Sequence, residues 1–106
     1  MQRIQMAGVA PVIDLANIRA IDVHVHAEVS CHDPEDPLLG QFFDAASKYF
    51  KAPRERPKIP QIIELYREQR IAFCLFTVDC ESAIGAKRVS NYEIAEYAAA
   101  NADIVI

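Results

Sequence analysis

The clearest pattern in the chain is a strict alternation of apolar and polar residues near its N-terminal end. Residues 18–26 repeat with a period of two and are rich in β-branched side chains, which is typical of a β-strand with two different faces. The alternation divides the side chains between these faces, with Ile21, Val23 and Val25 on one and Asp22, His24 and His26 on the other. We therefore predict a first strand that ends on two histidines pointing the same way.

Other segments predict further strands and helices in an α/β order. Residues 71–79 are apolar almost throughout, which is typical of a parallel strand covered on both faces. Helical periodicity covers residues 41–50 and 60–70, and the capping-box pattern of Ser90 and Glu93 opens a helix that runs to about residue 101. Residues 28–60 form an insertion with one short helix, and the apolar residues 102–106 predict a third strand. This order indicates parallel β/α units with right-handed connections.

Composition narrows the class of protein. The 106 residues are 52% hydrophobic and 25% charged, as in globular domains, and the formal net charge is −4. An acidic chain argues against a general nucleic-acid partner, and no apolar run approaches the roughly 20 residues that span a membrane. Three cysteines without metal-type spacing favour a reducing compartment, so we expect a cytoplasmic protein that binds neither nucleic acid nor membrane.

The pattern Asp22-x-His24-x-His26 is the strongest candidate for chemistry. Two imidazoles two residues apart on a strand lie close enough to ligate one divalent metal ion, which would activate water and polarise a carbonyl group. Asp22 can orient a ligand histidine by accepting its ring N–H. From the residues alone, two partly buried histidines satisfied by ordinary hydrogen bonds are an open alternative.

Two more residues are candidates for contact with a small-molecule substrate. Ligands of parallel α/β proteins bind at the carboxyl ends of the strands, where His32 follows the first predicted strand and Asp79 ends the second. The alternatives are a solvated acidic loop around His32 and a turn or helix-capping role for Asp79.

Residues 20–26, Ala-Ile-Asp-Val-His-Val-His, resemble the opening strand of the amidohydrolase superfamily. They are most similar to the branch that includes aminocarboxymuconate semialdehyde decarboxylase. The resemblance implies that residues 18–106 form about three strands of an incomplete (β/α)₈ barrel, a TIM barrel. It also implies that His24 and His26 hold a mononuclear metal, most often zinc, with manganese as an alternative. It places the remaining ligands and the general base beyond Ile106, so that residues 1–106 would be an N-terminal segment without activity of its own.

The function expected from the resemblance is that of a metal-dependent hydrolase. In such an enzyme a metal-activated water attacks a small carboxylate or acyl ester substrate. A non-oxidative decarboxylase of the same family is the first alternative. A non-catalytic α/β module is the second, and it would self-associate through its open sheet edge. For each of these three functions we expect a homo-oligomer.

Overall fold

A computed structural model describes residues 12–106, in which a two-stranded parallel sheet packs against helices. The strands are β1 (Ala20–His26) and β2 (Ile71–Phe76). The helices are α1 (Pro37–Phe50), α2 (Ile59–Gln69), α3 (Glu81–Ile84) and α4 (Asn91–Ala100). Both strands and the helices α1, α2 and α4 confirm elements predicted from periodicity, whereas the four-residue helix α3 was not predicted.

The hydrophobic core lies between one face of the sheet and the helices α2 and α4. Phe73 of β2 and Ile59 of α2 are the largest side chains that are completely buried. Helix α2 contributes apolar residues at helical spacing, and the cluster continues through Val25 and Leu75 of the sheet to Ile104 and Val105. Because burial of apolar area is the main stabilising term in a domain of this size, this single face of the sheet carries most of the fold's stability.

Helix α1 begins earlier than its periodicity predicts, at Pro37 rather than residue 41. The carboxylate of Asp36 accepts a hydrogen bond of 2.8 Å from the backbone N–H of Leu38, and Pro37 has no N–H that would need a partner in the first turn. Gly40 is buried inside this helix, where an added Cβ would lie 3.0 Å from Glu35 Oε2. A side chain at this position would therefore require the Glu35 carboxylate to shift by a few tenths of an ångström.

The expectation of three β/α units of a TIM barrel is wrong for residues 12–106, because the sheet there has two strands. The predicted third strand, residues 102–106, is mostly a turn in which the N–H groups of Ile104 and Val105 both donate to the carbonyl of Asn101. Only one parallel bridge, between Phe73 and Val105, joins this segment to β2. Ile104 and Val105 are buried as the pattern requires, but they reach the core from a turn.

Strand β1 contains an irregularity that the alternation does not reveal. Asp22 pairs with Phe73 and Val25 pairs with Leu75, so a step of three residues in β1 lies opposite a step of two in β2. Such a β-bulge inserts one residue and shifts the alternation of side chains after it. Asp22 and Val25, which strict alternation would separate, therefore share the face covered by the helices.

Within residues 12–106, no helix combines the length and apolar character needed to cross a membrane.

Candidate metal site

The two histidines of β1 come together at the carboxyl end of the strand. The Nε2 atoms of His24 and His26 lie 3.0 Å apart, and the ring centroids are separated by 4.7 Å. Phe76, the last residue of β2, packs against both rings at centroid distances of 5.3 and 4.9 Å. The pair therefore lies on the sheet face opposite α2 and α4, with His24 exposed and His26 half-buried.

The separation of the two nitrogens fits a shared metal ion. Zinc binds imidazole nitrogen at about 2.0–2.1 Å, so two such nitrogens on one ion cannot be more than about 4.2 Å apart. The observed 3.0 Å meets this requirement, and it also fits a direct hydrogen bond in which one Nε2 carries the proton. Among residues 12–106, no group of three or more His, Cys, Asp or Glu side chains is arranged to hold a metal ion. The described residues thus supply two nitrogen donors and leave the other coordination positions open.

Asp22 does not join the histidines. Its Oδ2 accepts a hydrogen bond of 2.6 Å from the Tyr66 hydroxyl on α2, and its Oδ1 accepts one of 3.0 Å from the backbone N–H of His24. The Tyr66 hydroxyl, followed by this backbone N–H, holds the pKa of Asp22 below its ordinary value. The predicted placement of Asp22 beside the two imidazoles is wrong, since the bulge turns its side chain to the helix-covered face. Asp22 contacts His24 at the backbone.

Asp79 lies after β2 and is already engaged on both oxygens. Its Oδ1 accepts a hydrogen bond of 3.2 Å from the backbone N–H of Glu81 at the start of α3, and its Oδ2 pairs with the guanidinium of Arg88. The turn role that the sequence left open is present in the structure. Contact between Asp79 and a substrate stays a prediction.

His32 lies in the loop after β1, away from the pair formed by His24 and His26. Its backbone N–H donates to Ser30 Oγ at 3.0 Å, and its ring Nε2 lies 3.5 Å from the carboxylate of Glu96 on α4. Both side chains are exposed. The role of His32 in substrate binding also stays a prediction.

Glu93 anchors the loop after β1, and the sequence did not identify it for this role. It is 3% exposed, and its two carboxylate oxygens accept hydrogen bonds of 2.6 Å each from the Ser30 hydroxyl and the Cys31 backbone N–H. Ser90 caps α4 through the backbone N–H of Tyr92, as its position in the motif predicts. The glutamate of the motif instead bonds to a loop about 60 residues away in sequence, a partner for which the local pattern holds no signal.

An apolar cleft of about 330 Å³ opens beside His26. Residues that directly follow the two strands line it, among them Ala27 after β1 and Val78 after β2. The opposite side is formed by α1 and α3, which contribute the apolar side chains Leu39, Phe42, Phe43 and Ile84. The cleft thus lies where parallel α/β proteins bind ligands, at the carboxyl ends of the strands.

Comparisons with known proteins give no further assignment. No protein-family model matches the chain, and neither the curated proteins nor the solved structures yield a match. The resemblance to the amidohydrolase superfamily therefore rests on residues 20–26 and on the order of the elements that follow them.

Proposed function

We propose that this chain supplies two histidine ligands, His24 and His26, to the divalent metal site of an amidohydrolase-type hydrolase that acts on a small organic acyl substrate. The observation that carries the proposal is the convergence of the two Nε2 atoms to 3.0 Å at the end of β1. The bulge in β1 supports it, because such irregularities are common beside active sites, where they redirect side chains.

Three side chains of the sheet account for holding and shaping the site. His24 and His26 provide imidazole nitrogens, which are suited to zinc and also to manganese. Phe76 packs against both rings and restricts their orientation. When bound, a divalent ion of this kind lowers the pKa of water and polarises a carbonyl, which is the chemistry that hydrolysis of an ester or amide requires.

The cysteines support a cytoplasmic location as part of the same proposal. Cys31, Cys74 and Cys80 are all free thiols in the described part of the chain. Free thiols of this kind are typical of proteins that work in a reducing compartment.

Zinc uptake by the full chain tests the ligand assignment. After removal of metal with EDTA, zinc is titrated into the wild type, His24→Ala, His26→Ala and His32→Ala. We expect each of the first two variants to lose on the order of tenfold or more in zinc affinity. His32→Ala is the matched control, because this histidine is exposed and paired with Glu96 outside the site. Wild type that takes up no zinc, or variants that bind it equally well, would overturn the proposal.

Hydrolysis is tested separately with 4-nitrophenyl butyrate as the probe ester. Because the resemblance implies that this segment has no activity of its own, the zinc-loaded wild type should release 4-nitrophenol no faster than the EDTA-treated protein or the zinc-loaded double variant His24→Ala/His26→Ala. A faster release by the zinc-loaded wild type, lost in the double variant, would contradict this expectation and would assign hydrolase activity to these residues by themselves.

A further inference from the structure

The cleft beside His26 leaves several large apolar side chains open to solvent. Phe42 of α1 is 67% exposed, Ile84 of α3 is 57% exposed and Val78 after β2 is 51% exposed. These three residues come from separate elements and line the same cleft. Removing these apolar side chains from water lowers the free energy of the complex. A ligand that fills the cleft is therefore stabilised by covering all three side chains.

The charged side chains at the cleft are already neutralised by partners outside it. The guanidinium of Arg88 pairs with Asp79, and the carboxylate of Glu28 lies 3.7 Å from Arg56. Neither Asp79 nor Arg56 lines the cleft. A carboxylate or phosphate placed in the cleft would have to compete for these existing pairs, whereas an uncharged group would not.

The size of the cleft restricts its occupant to a small group. Its volume of about 330 Å³ lies at the lower end of the range found for small-molecule sites, about 300–1,000 Å³. One aromatic ring or a short branched alkyl chain fills such a space. A nucleotide or a long peptide does not fit within it.

We propose that this cleft binds an uncharged apolar group of the substrate, an aromatic ring or branched alkyl chain, and so places the bond to be hydrolysed beside His26. The second half of this inference rests on the function proposed above. The first half, recognition of an uncharged apolar group, depends only on the lining of the cleft. Substrates of the hydrolase would then be esters or amides with an apolar acyl or aryl group.

The binding preference can be measured on the full chain without metal. Fluorine NMR follows a titration with 4-fluorobenzyl alcohol, a neutral probe, and with 4-fluorobenzoate, its charged counterpart. We expect saturable binding of the alcohol with a Kd of about 1–10 mM, and binding of the benzoate that is weaker by about fivefold or more.

Two matched variants of α1 locate the binding site. Phe42→Ala should weaken binding of the alcohol by about fivefold. Phe50→Ala should leave binding unchanged, because Phe50 is also exposed on α1 but does not line the cleft. Ile84→Ala removes a lining side chain from a different helix and should also weaken binding, which keeps the test valid if Phe42→Ala fails to fold.

Failure of the cleft and failure of the metal site give different results. A wild type that binds zinc but shows no saturable binding of the alcohol overturns this inference alone. Equal or tighter binding of the benzoate, or equal losses from Phe42→Ala and Phe50→Ala, also overturns it. A wild type that binds the alcohol but no zinc supports the preference for an uncharged apolar group and overturns the proposed hydrolase.

Discussion

The two faces of the parallel sheet have opposite roles although the same two strands form them. One face presents Val25, Phe73 and Leu75 to α2 and α4 and belongs to the hydrophobic core. The other presents His24 and His26 against Phe76, which is 38% exposed. One face of the sheet therefore supports stability and the other carries the candidate metal site. Substitutions on the two faces should affect different measurements.

The largest difference is expected between two phenylalanines of β2. Phe73 is completely buried, and Phe73→Ala should lower the free energy of unfolding by about 3–5 kcal/mol through lost burial and a cavity. Phe76→Ala, on the partly exposed face, should cost less than about 1.5 kcal/mol. Urea denaturation followed by circular dichroism measures both values. Phe73→Leu, with a smaller expected loss of about 1–2 kcal/mol, replaces the alanine variant if that does not fold. Equal costs at the two positions would show that the second face is covered as well.

A smaller but still large effect is expected at the anchor between α4 and the loop after β1. Glu93→Ala leaves the Ser30 hydroxyl and the Cys31 N–H without their buried partner, which should cost about 1–3 kcal/mol of unfolding free energy. Glu96→Ala is the control on the same helix. Its exposed carboxylate lies 3.5 Å from the exposed His32, and its removal should change stability by less than about 0.5 kcal/mol. Similar losses for both variants would refute the anchoring role.

The bond between Tyr66 and Asp22 predicts a pH dependence on the helix-covered side. The hydrogen bond to Asp22 raises the pKa of Tyr66 from 10.0 to about 12. Because the folded state favours the protonated phenol, this contribution to stability is complete below pH 10 and is lost as the pH rises towards 12. The difference in unfolding free energy between wild type and Tyr66→Phe, measured in urea, should therefore be constant between about pH 5, where Asp22 is ionised, and about pH 10, and it should shrink above pH 10. A difference that grows above pH 10 would contradict this sign.

The smallest change in stability is expected at His24. It is exposed on the face opposite the core, so His24→Ala should alter the free energy of unfolding by less than about 0.5 kcal/mol. The same variant is expected to lose zinc affinity. A large loss of stability in the absence of metal would show that the histidine pair holds the fold together through its own hydrogen bond.

Much of the fold follows from local patterns in the sequence. The apolar run of β2 and the helical spacing of Ile59, Ile62 and Ile63 each reflect a side chain's position relative to the core. The alternation in β1 predicts the strand but not its buried face, since Val25 is buried whereas Val23 is 71% exposed. Helix α1 was predicted four residues too short. Its first turn contains Pro37 and Gly40, residue types that are typical of loops, and the cap by Asp36 starts the helix before them.

The errors have a common physical origin in contacts that are distant along the chain. The apolar character of residues 102–106 correctly predicts the burial of Ile104 and Val105 but not the exposed Ile106. Whether the segment forms a turn or a strand depends on its hydrogen bonds to Asn101 and Phe73. Glu93 matches a local capping motif, yet its partners are in the loop after β1. The pairing of the two histidines was predictable from their spacing. The separation of Asp22 from them was not, since the bulge is a property of the register with β2.

The extra residue in β1 reverses the sheet face on which each later residue of the strand lies. Before the extra residue, Asp22 bonds to Tyr66 on the helix-covered face. After it, Val25 packs in the core and His26 lines the cleft. If the same residues paired with β2 in strict alternation, without the bulge, Asp22, His24 and His26 would all lie on one face of the sheet. If Asp22 kept its hydrogen bond to Tyr66, the histidines would face the helices. If the histidines stayed in place, Asp22 would lose that hydrogen bond. The bulge thus allows the seven residues of β1 to form both the hydrogen bond between Asp22 and Tyr66 and the pair of His24 and His26.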